Sequence, residues 1–598
     1  MYILGISCFF HDAAAALLQD GVLVAAAEEE RFTRIKHDFS FPINAIHFCL
    51  RHAGIAPGDV DYVVFFEKPL PKFERILLTA LQTFPRSYGV FREAMISWFT
   101  EKLWIKSLIL SKVPVAPERV LFVEHHLSHA ASAFFCSPFD EAAILTVDGV
   151  GEWTTTTLGR ATAAWNGVGE NRIELFNEIR FPHSLGLLYS AFTAFLGFQV
   201  NEGEYKVMGM APYGEPRYLD KVYKLIHVYD DGSFQLDMDY FTYHYSTDRT
   251  FGPKFVQLFG EPRVPESAFI TRLTNPEVSG NEPEVRRSQH YADVAASIQR
   301  VTEEVLLKMA RHLHERTGLK KLCMAGGVTL NSVANGRILR ETPFEEIYIQ
   351  PAAGDSGGAL GAALYAYHIL LNRPRRFVLE HCYWGEEYPP AQVRAAIEEA
   401  GLRYEEVDDD EKLTDRLVDD LKAGKVIGWY QGRFEWGPRA LGNRSILADP
   451  RRGEMKQIVN AKIKFREPFR PFAPVVLEER TRDYFGLDEP ERHYPARFML
   501  LVVPVHPDKW DVIPAVTHAG GTGRLQTVTR EQNPRYYRIV EKFGEATGVP
   551  VLMNTSFNLR GEPIVTTPRN ALNTFMKSGL DVLLLDRFLV RKDGRTPQ

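Results

Sequence analysis

The chain opens on YILGIS, an apolar run that ends at a turn carrying His11 and Asp12, and the runs AAAALLQD and GVLVAAAE follow. Short apolar runs bounded by turn residues predict buried strands, and Asp20-Gly21 between the last two is a hairpin signal. VDYVVFF is another strand. From 72 to 110, Phe, Leu, Ile and Trp recur without alternation, which predicts a helical insertion. Val120 to Val123 is a strand that feeds a helix over HHLSHAASAFF. AAILTV and TTTTLG are two β runs around the turn Asp148-Gly149-Val150-Gly151. Leu185 to Phe198 is apolar on nearly all sides but too short to span a bilayer, so it predicts a helix buried in a large core. SQHYADVAASIQRVTEEVLLKMARHLHERTG reads as a long amphipathic helix ending near Gly318. LKKLCMAGGVTLNSVANGRIL and EEIYIQPAAGDSGGALGAALYAYHI each read strand, glycine turn and helix, a grammar that brings backbone amides and carboxylates to a ligand.

NRPRRFV, from Asn372 to Val378, interrupts this pattern, and the expected domains are 1–373 and 374–598. The second has helices at AQVRAAIEEAG and KLTDRLVDDLKAG and strands at KVIGWYQG, ARFMLLVVPV, GVPVLMNTS and DVLLLDRFLV. Its last portion is expected to pack back on the first. No short-period repeat is evident, and a chain of 598 residues fits two or three domains. At 45% hydrophobic and 12% aromatic residues the chain can fill extensive cores, and only the tail RKDGRTPQ reads as loose. The net charge of -6, from 70 basic and 76 acidic residues, gives no broad reason to bind nucleic acid or anionic lipid. Cys8, Cys49, Cys136, Cys323 and Cys382 are scattered, form neither a disulfide framework nor a metal-binding pair, and fit a reducing cytoplasm. The start lacks a basic n-region and reads as a strand, not a signal peptide.

Against that background a few polar groups stand out. On a helix, His125 and His129 share one face and His126 is displaced around it. Two imidazoles do not close a metal site, and such a pair is more often an ordinary polar helix face. Asp148 and Asp355, at strand-to-turn junctions, are candidate oxygen ligands, although an isolated Asp-Gly is more often only a turn. His11 has the near-neutral pKa a general base needs. Lys36, in RFTRIKH, offers a point charge, and Glu202, Glu204 and Lys206 form a charged group beside glycines. Arg433, Arg439, Arg444, Lys464, Arg466 and Arg470 lie among glycines, prolines and aromatics, a composition that fixes guanidinium groups for bidentate phosphate recognition. Composition alone favours an anion site and surface salt bridges equally. There is no P-loop.

The ordered motifs FHDAAAALL, EEERFTRIKH, HHLSHAASAF, DGVGEW, GEYKVMGMAPYG, AGGVTLN, PAAGDSGGALGAAL, GRFEWGPRALGNRSILADPR and FREPFRPFAP cover nearly the whole chain. In them the sequence resembles the ATP-dependent O-carbamoyltransferases of antibiotic and natural-product biosynthesis and nodulation-factor carbamoylation. The resemblance implies an α/β protein with an actin-like or sugar-kinase-like metal-binding domain followed by a threonylcarbamoyl-adenylate-synthase-like domain. It implies that His125, His129, Asp148 and Asp355 hold one divalent metal, Fe(II) or a similar ion, although the donor set itself suits zinc, iron or manganese equally. It gives His11 the role of general base and turns Lys36 toward the leaving adenylate phosphate. Asn331 is expected near the nucleotide, and Gly326, Gly327, Gly357 and Gly358 are expected to allow close backbone approach. The arginine cluster, with His518, Arg524 and Asn554 and Asn558 of NTSFNLRGEP, is expected to bind ATP and carbamoyl phosphate, with Mg2+ as a reaction component. Related sequences often carry an aspartate at or beside Ala519, and its absence weakens any magnesium-coordinating acid there.

The implied cycle makes carbamoyl-adenylate, passes it internally and delivers the carbamoyl group to a hydroxyl of a small molecule. The expected setting is cytoplasmic, without nucleic-acid or membrane partners, and homodimerisation is a family expectation. N-carbamoyl or threonylcarbamoyl transfer is an alternative, as is a nonenzymatic nucleotide or metal sensor.

Overall fold

The computed structural model describes residues 1–592 except 101, 276 and 281; the tail read as loose lies, from 593 on, outside them. Two compact units form: Met1–Val24 with Phe39–Val378, and Ala25–Asp38 with the chain from Leu379 on.

The first unit holds two five-stranded sheets. One contains β1 (Tyr2–Ser7), β2 (Ala14–Gln19), β3 (Val22–Glu28, which from Ala25 on groups with the second unit), β4 (Tyr62–Phe65) and β5 (Val120–Phe122), in the order β3-β2-β1-β4-β5. The other contains β6 (Glu141–Val147), β7 (Thr154–Thr162), β8 (Arg172–Arg180) and, after a small hairpin of β9 (Ile226–Val228) and β10 (Phe234–Leu236), β11 (Lys321–Ala325) and β12 (Glu346–Tyr348). Its order, β12-β11-β6-β7-β8, is the first order again read from the other edge. In both sheets the first strand runs antiparallel to the second and parallel to the fourth. This duplication is the topology of the actin-like fold.

The helix Asp355–Tyr365, sequence DSGGALGAALY, explains its own composition: it is buried from Asp355 to Leu364. A Cβ at Gly361 would run into the backbone carbonyl of Ser128. The glycine thus lets this helix lie directly on the helix His125–Phe134, bringing Asp355 to the histidines. The long helix Pro283–Thr317 ends at Gly318 in the left-handed conformation, φ 67°, as its sequence predicts. The insertion forms helices Pro69–Gln82, Tyr88–Thr100 and Ile105–Lys112. No helix among the described residues is long and apolar enough to cross a membrane.

The second unit is built on a nine-stranded mixed sheet. Its strands are β13 (Tyr404–Glu406), β14 (Ile427–Tyr430), β15 (Arg444–Ala448), β16 (Ala473–Leu477), β17 (Leu501–Pro504), β18 (Thr522–Val528), β19 (Val551–Ser556), β20 (Val582–Leu585) and β21 (Phe588–Arg591). Their order is β13-β21-β20-β14-β15-β19-β16-β18-β17. Trp429, Leu447, Val475, Leu552 and Leu584 share a core with Leu413, Leu417 and Leu421 of the helix Asp410–Lys422 and with Ile539, Val540 and Phe543 of the helix Pro534–Thr547. Each such side chain contributes about 1.5–3 kcal/mol on burial.

Three expectations need correction. ARFMLLVVPV is a strand only over Leu501–Pro504, because a helical turn, Tyr494–Arg497, and the positive φ of Met499 precede it. DVLLLDRFLV is two antiparallel strands that reverse at Asp586, φ 56°. The third concerns EEERFTRIKH. The strap Ala25–Asp38 groups with the second unit rather than with the 1–373 stretch around it. Phe32 meets Phe434 edge-on at 6.0 Å, and Arg34 donates to the carbonyls of Ile564 and Pro563 at 2.6 and 2.8 Å.

Candidate active site

The helix His125–Phe134 starts where the Glu152 carboxylate accepts the backbone N–H of His125, at 3.1 and 3.2 Å. That bond satisfies an orphan donor of the first turn and fixes the helix against the turn after β6. From this helix His125 Nε2 and His129 Nε2 come within 3.0 Å of each other. Asp148 Oδ2 is 3.1 Å from His125 Nε2 and 3.7 Å from His129 Nε2; Asp355 Oδ1 is 3.6 Å from both. All four ligand atoms lie within 4.8 Å of one another and all four residues are buried. Asp148 is held by its other oxygen, which accepts the backbone N–H of Gly327 at 2.7 Å. Asp355 Oδ2 is buried without a hydrogen-bond partner.

Four Lewis bases converging at this range, two nitrogens and two oxygens, fit a divalent cation. The electrostatics describe a site that concentrates negative charge, where a cation would take the place of the proton shared by the imidazoles and carboxylates. Burial disfavours charge on Asp148, yet hydrogen bonds from His125 and His129 hold its pKa well below the usual carboxylate range. Burial also disfavours a charged His129, but Asp148 and Asp355 outweigh it and raise the pKa to about 9. His126 faces elsewhere, its ring nitrogens 2.7 Å from Thr146 Oγ1 and 2.9 Å from the Thr154 carbonyl.

His11 lies in the same unit, in the turn between β1 and β2. Its Nδ1 is 2.8 Å from Asp12 Oδ2 and its Nε2 is 2.9 Å from the carbonyl of Asn201. Both neighbours accept, so both nitrogens donate and the ring is an imidazolium. Burial opposes that charge, but Asp12 and, more weakly, Asp355 raise the pKa to about 10. Asn331 is used structurally: its side chain caps the helix Ser332–Glu341 and pairs with Gln299 at 3.0 Å. Glu204 accepts from Ser190 and from the Asn201 backbone N–H, which ties the NEGEYK loop to the helix Leu185–Phe195.

In the second unit Lys464 is buried. Its Nζ donates to Asn558 Oδ1 at 2.7 Å and to the Ser556 and Asn558 carbonyls. Burial, then the charges of Arg466, Arg470 and Lys36, hold its pKa well below the ordinary lysine value; Glu562 offsets this only in part. Lys36, carried by the strap, thus belongs with the second unit's cations. Cations gathered this closely suit a polyanion. Other expected members are engaged differently. Arg433 donates to the carbonyls of Gly385 and Trp384 at 2.7 and 2.6 Å. Arg444 is fully buried, donates to the carbonyls of Gln431, Gly432 and Asn443, and lies 3.6 Å from the Tyr430 ring centroid. Asn554 is buried, donating to Gln526 Oε1 at 2.7 Å. His518 adds no charge, because burial, then Arg524 and Lys456, lower its pKa to about 3. Its Nε2 lies 3.0 Å from the Phe472 carbonyl and so carries the hydrogen.

Sequence reasoning missed the groups that fix these sites. Glu435 Oε1 accepts the backbone N–H groups of Leu441, Asn443 and Arg444 at 2.8, 2.8 and 3.1 Å, folding the loop that carries Arg439. The strap clamps the same loop: Glu28 accepts the Gly437 N–H at 2.7 Å and Arg31 donates to the Gly437 carbonyl at 2.6 Å. The available signal was a block of charge, EEERF, continuing an apolar strand.

A family described as carbamoyltransferase N-terminus matches residues 2–364, and one described as carbamoyltransferase C-terminus matches 418–592. The chain therefore belongs to the carbamoyltransferase family, and it is an enzyme that transfers carbamoyl groups. It is 46% identical to an uncharacterized protein of Synechocystis over 99% of this chain and 97% of that one. With the nodulation protein NolNO of Sinorhizobium fredii it shares 37% identity over 99% of this chain and 80% of that one. Among solved structures, component A of (R)-2-hydroxyglutaryl-CoA dehydratase from Acidaminococcus fermentans covers 61% of this chain and 98% of its own at 17% identity and a TM-score of 0.31. That likeness is too distant to weigh, and the fold rests on the strand order above.

Proposed function

We propose that the second unit makes carbamoyl-adenylate and that the first transfers its carbamoyl group to a hydroxyl of a small natural product. The carrying observation is how charge is divided: a buried two-histidine, two-aspartate set in one unit and, in the other, a buried lysine whose charge is disfavoured by burial and further by Arg466, Arg470 and Lys36. Kinship with nodulation proteins supports a natural-product acceptor.

Carbamoyl phosphate and water give carbamate and inorganic phosphate. A carbamate oxygen then attacks the α-phosphorus of ATP, and pyrophosphate leaves. Lys464, Lys36, Arg439, Arg466, Arg470 and Arg524 surround the phosphates with charge fixed in advance of the reaction. Arg444, bound to three carbonyls of its own loop, positions that loop. In the second half the acceptor oxygen attacks the carbamoyl carbon, AMP leaves and the hydroxyl proton passes to His11. A divalent ion, Fe(II) or similar, held by His125, His129, Asp148 and Asp355 supplies fixed positive charge for a phosphate group; Mg2+ enters with ATP. A single turnover with labelled carbamoyl phosphate and a panel of alcohols tests the reading: one AMP, one pyrophosphate and one phosphate are expected per O-carbamoyl product, whereas product without AMP would overturn it.

Two further outcomes follow, one for His11 and one for the strap. For His11 to take a proton at Nε2, the Asn201 carbonyl must give way to the substrate hydroxyl. With a pKa near 10, only about one His11 in a thousand is free base at pH 7. Because that fraction grows as protons are removed, kcat/KM for the acceptor should climb about tenfold per pH unit between pH 6 and 8, with pyrophosphate release following a different profile. A flat transfer profile in the unaltered enzyme would remove His11 from the role.

The strap gives the other. Burial raises the Glu28 pKa to about 7 against the pull of Arg31, so a neutral side chain is nearly tolerated there. Glu28→Gln, which keeps the acceptor for Gly437, should hold pyrophosphate release within about threefold. Arg31→Met should cut it by about 10- to 100-fold through displacement of the Arg439 loop. Equal losses in both variants at unchanged Tm would argue against the clamp.

A further inference from the structure

Among the described residues, 21 large hydrophobic side chains are exposed, and eight of them fall between Leu70 and Trp104. Exposed apolar side chains scattered singly are ordinary; this concentration is not. On the helix Pro69–Gln82, Leu70, Leu78 and Leu81 fall within an arc of about 80° at 3.6 residues per turn. On the helix Tyr88–Thr100, Tyr88, Ile96 and Phe99 fall within a similar arc. The two helices pack together, Phe73 lying 5.5 Å from Trp98 and 6.0 Å from Phe99 between ring centroids. Phe84, 68% exposed, sits between the helices, and Trp104, 58% exposed, follows the second.

The charge of this insertion opposes that of the chain. Residues 69–112 contain seven basic and three acidic residues, whereas the whole chain has an acidic excess of six. Lys72 and Arg75 are buried, Lys72 paired with Glu67 and Arg75 donating to the Gly151 carbonyl at 2.7 Å. Arg86, Arg92, Lys106 and Lys112 are exposed, against Glu74 and Glu93, and at 3.6 residues per turn Arg92 falls within the arc of Tyr88, Ile96 and Phe99.

We propose that this helical insertion docks the enzyme on an anionic lipid surface. A basic, aromatic-bearing apolar face lies in the headgroup boundary, where apolar burial and attraction to acidic lipids add. The helix of 14 residues, about 21 Å long, is too short to cross a bilayer and suits lying in its surface. A second copy fits less well, because a two-fold contact would set this positive surface against itself. The inference is independent of which unit activates the carbamoyl group.

The test is flotation of the full chain with phosphatidylcholine vesicles, with and without 30% phosphatidylglycerol. At least tenfold more protein should float with the anionic vesicles, and 0.5 M NaCl should weaken the binding. Leu81→Ser with Phe84→Ser and Phe99→Ser should abolish it, as should Arg92→Glu with Lys106→Glu and Lys112→Glu. Pyrophosphate release and Tm should stay unchanged in both. Absence of binding to anionic vesicles, or binding indifferent to both variants, would overturn the proposal. Conversion of a dimer to a monomer by the serine variant, without any loss of vesicle binding, would instead assign the face to a second copy.

Discussion

Asp148→Asn is expected to lower carbamoyl transfer by at least about a thousandfold while leaving pyrophosphate release from ATP and carbamoyl phosphate within about threefold. The substitution keeps the shape of the side chain. Its carbonyl oxygen can still accept from Gly327 N–H, but the other atom, facing His125 and His129, becomes a donor and the negative charge is lost. A metal site stripped of one of four ligands, with two imidazoles now facing an N–H, loses both affinity and orientation. Metal content by mass spectrometry should fall below about 0.1 per chain. Chelation of the unaltered enzyme should reproduce the transfer defect and lower Tm, because an ion that binds only the folded state stabilises it. Refilling with iron, manganese or zinc then ranks the ions, which the donor set alone does not separate. Unimpaired transfer in a metal-free Asp148→Asn enzyme would detach the cluster from the chemistry.

Lys464→Met is expected to produce the complementary defect. Pyrophosphate release should fall by about 100- to 1,000-fold, the scale on which removing one pre-aimed donor acts. Transfer from chemically supplied carbamoyl-adenylate should persist. Burial and, after it, the charges of Arg466, Arg470 and Lys36 disfavour a charged Lys464, a cost that is relieved when phosphates arrive. ATP should therefore raise the Tm of the unaltered enzyme more than that of the variant. A variant that binds ATP equally well and releases pyrophosphate at the same rate would mean that Lys464 serves only to hold the Ser556 and Asn558 carbonyls.

The first unit was largely legible because its strands are apolar runs broken by Gly and Asp turns, and because Gly318 marks a helix end. Its duplication was not: two sheets can share strand order without sharing any sequence period. In the second unit the strands that escaped notice are those with polar flanks, such as β15 after Asn443, or polar content, such as β13, YEE. The four converging donors were nameable one by one, but their convergence depends on a glycine, Gly361, that lets one helix rest on another. The arginine cluster was read from composition alone. Composition placed Arg433 and Arg444 in a structured loop, yet composition does not distinguish a guanidinium aimed at a ligand from one satisfied by its own carbonyls. The strap was invisible for a different reason, since which unit a segment joins is decided by contacts hundreds of residues away, Arg31 to Gly437 and Arg34 to Pro563.

Activation without acceptor is the most direct measure of the two-step account. Purified, iron-supplied enzyme is incubated with ATP and carbamoyl phosphate alone, and pyrophosphate and carbamoyl-adenylate are followed together, the latter trapped for mass spectrometry. The account predicts that both appear and that Arg439→Ala, on the loop held by Glu435, Glu28 and Arg31, abolishes both. A folded, metal-loaded enzyme that yields neither pyrophosphate nor carbamoyl-adenylate, yet carbamoylates an alcohol when one is added, would contradict it.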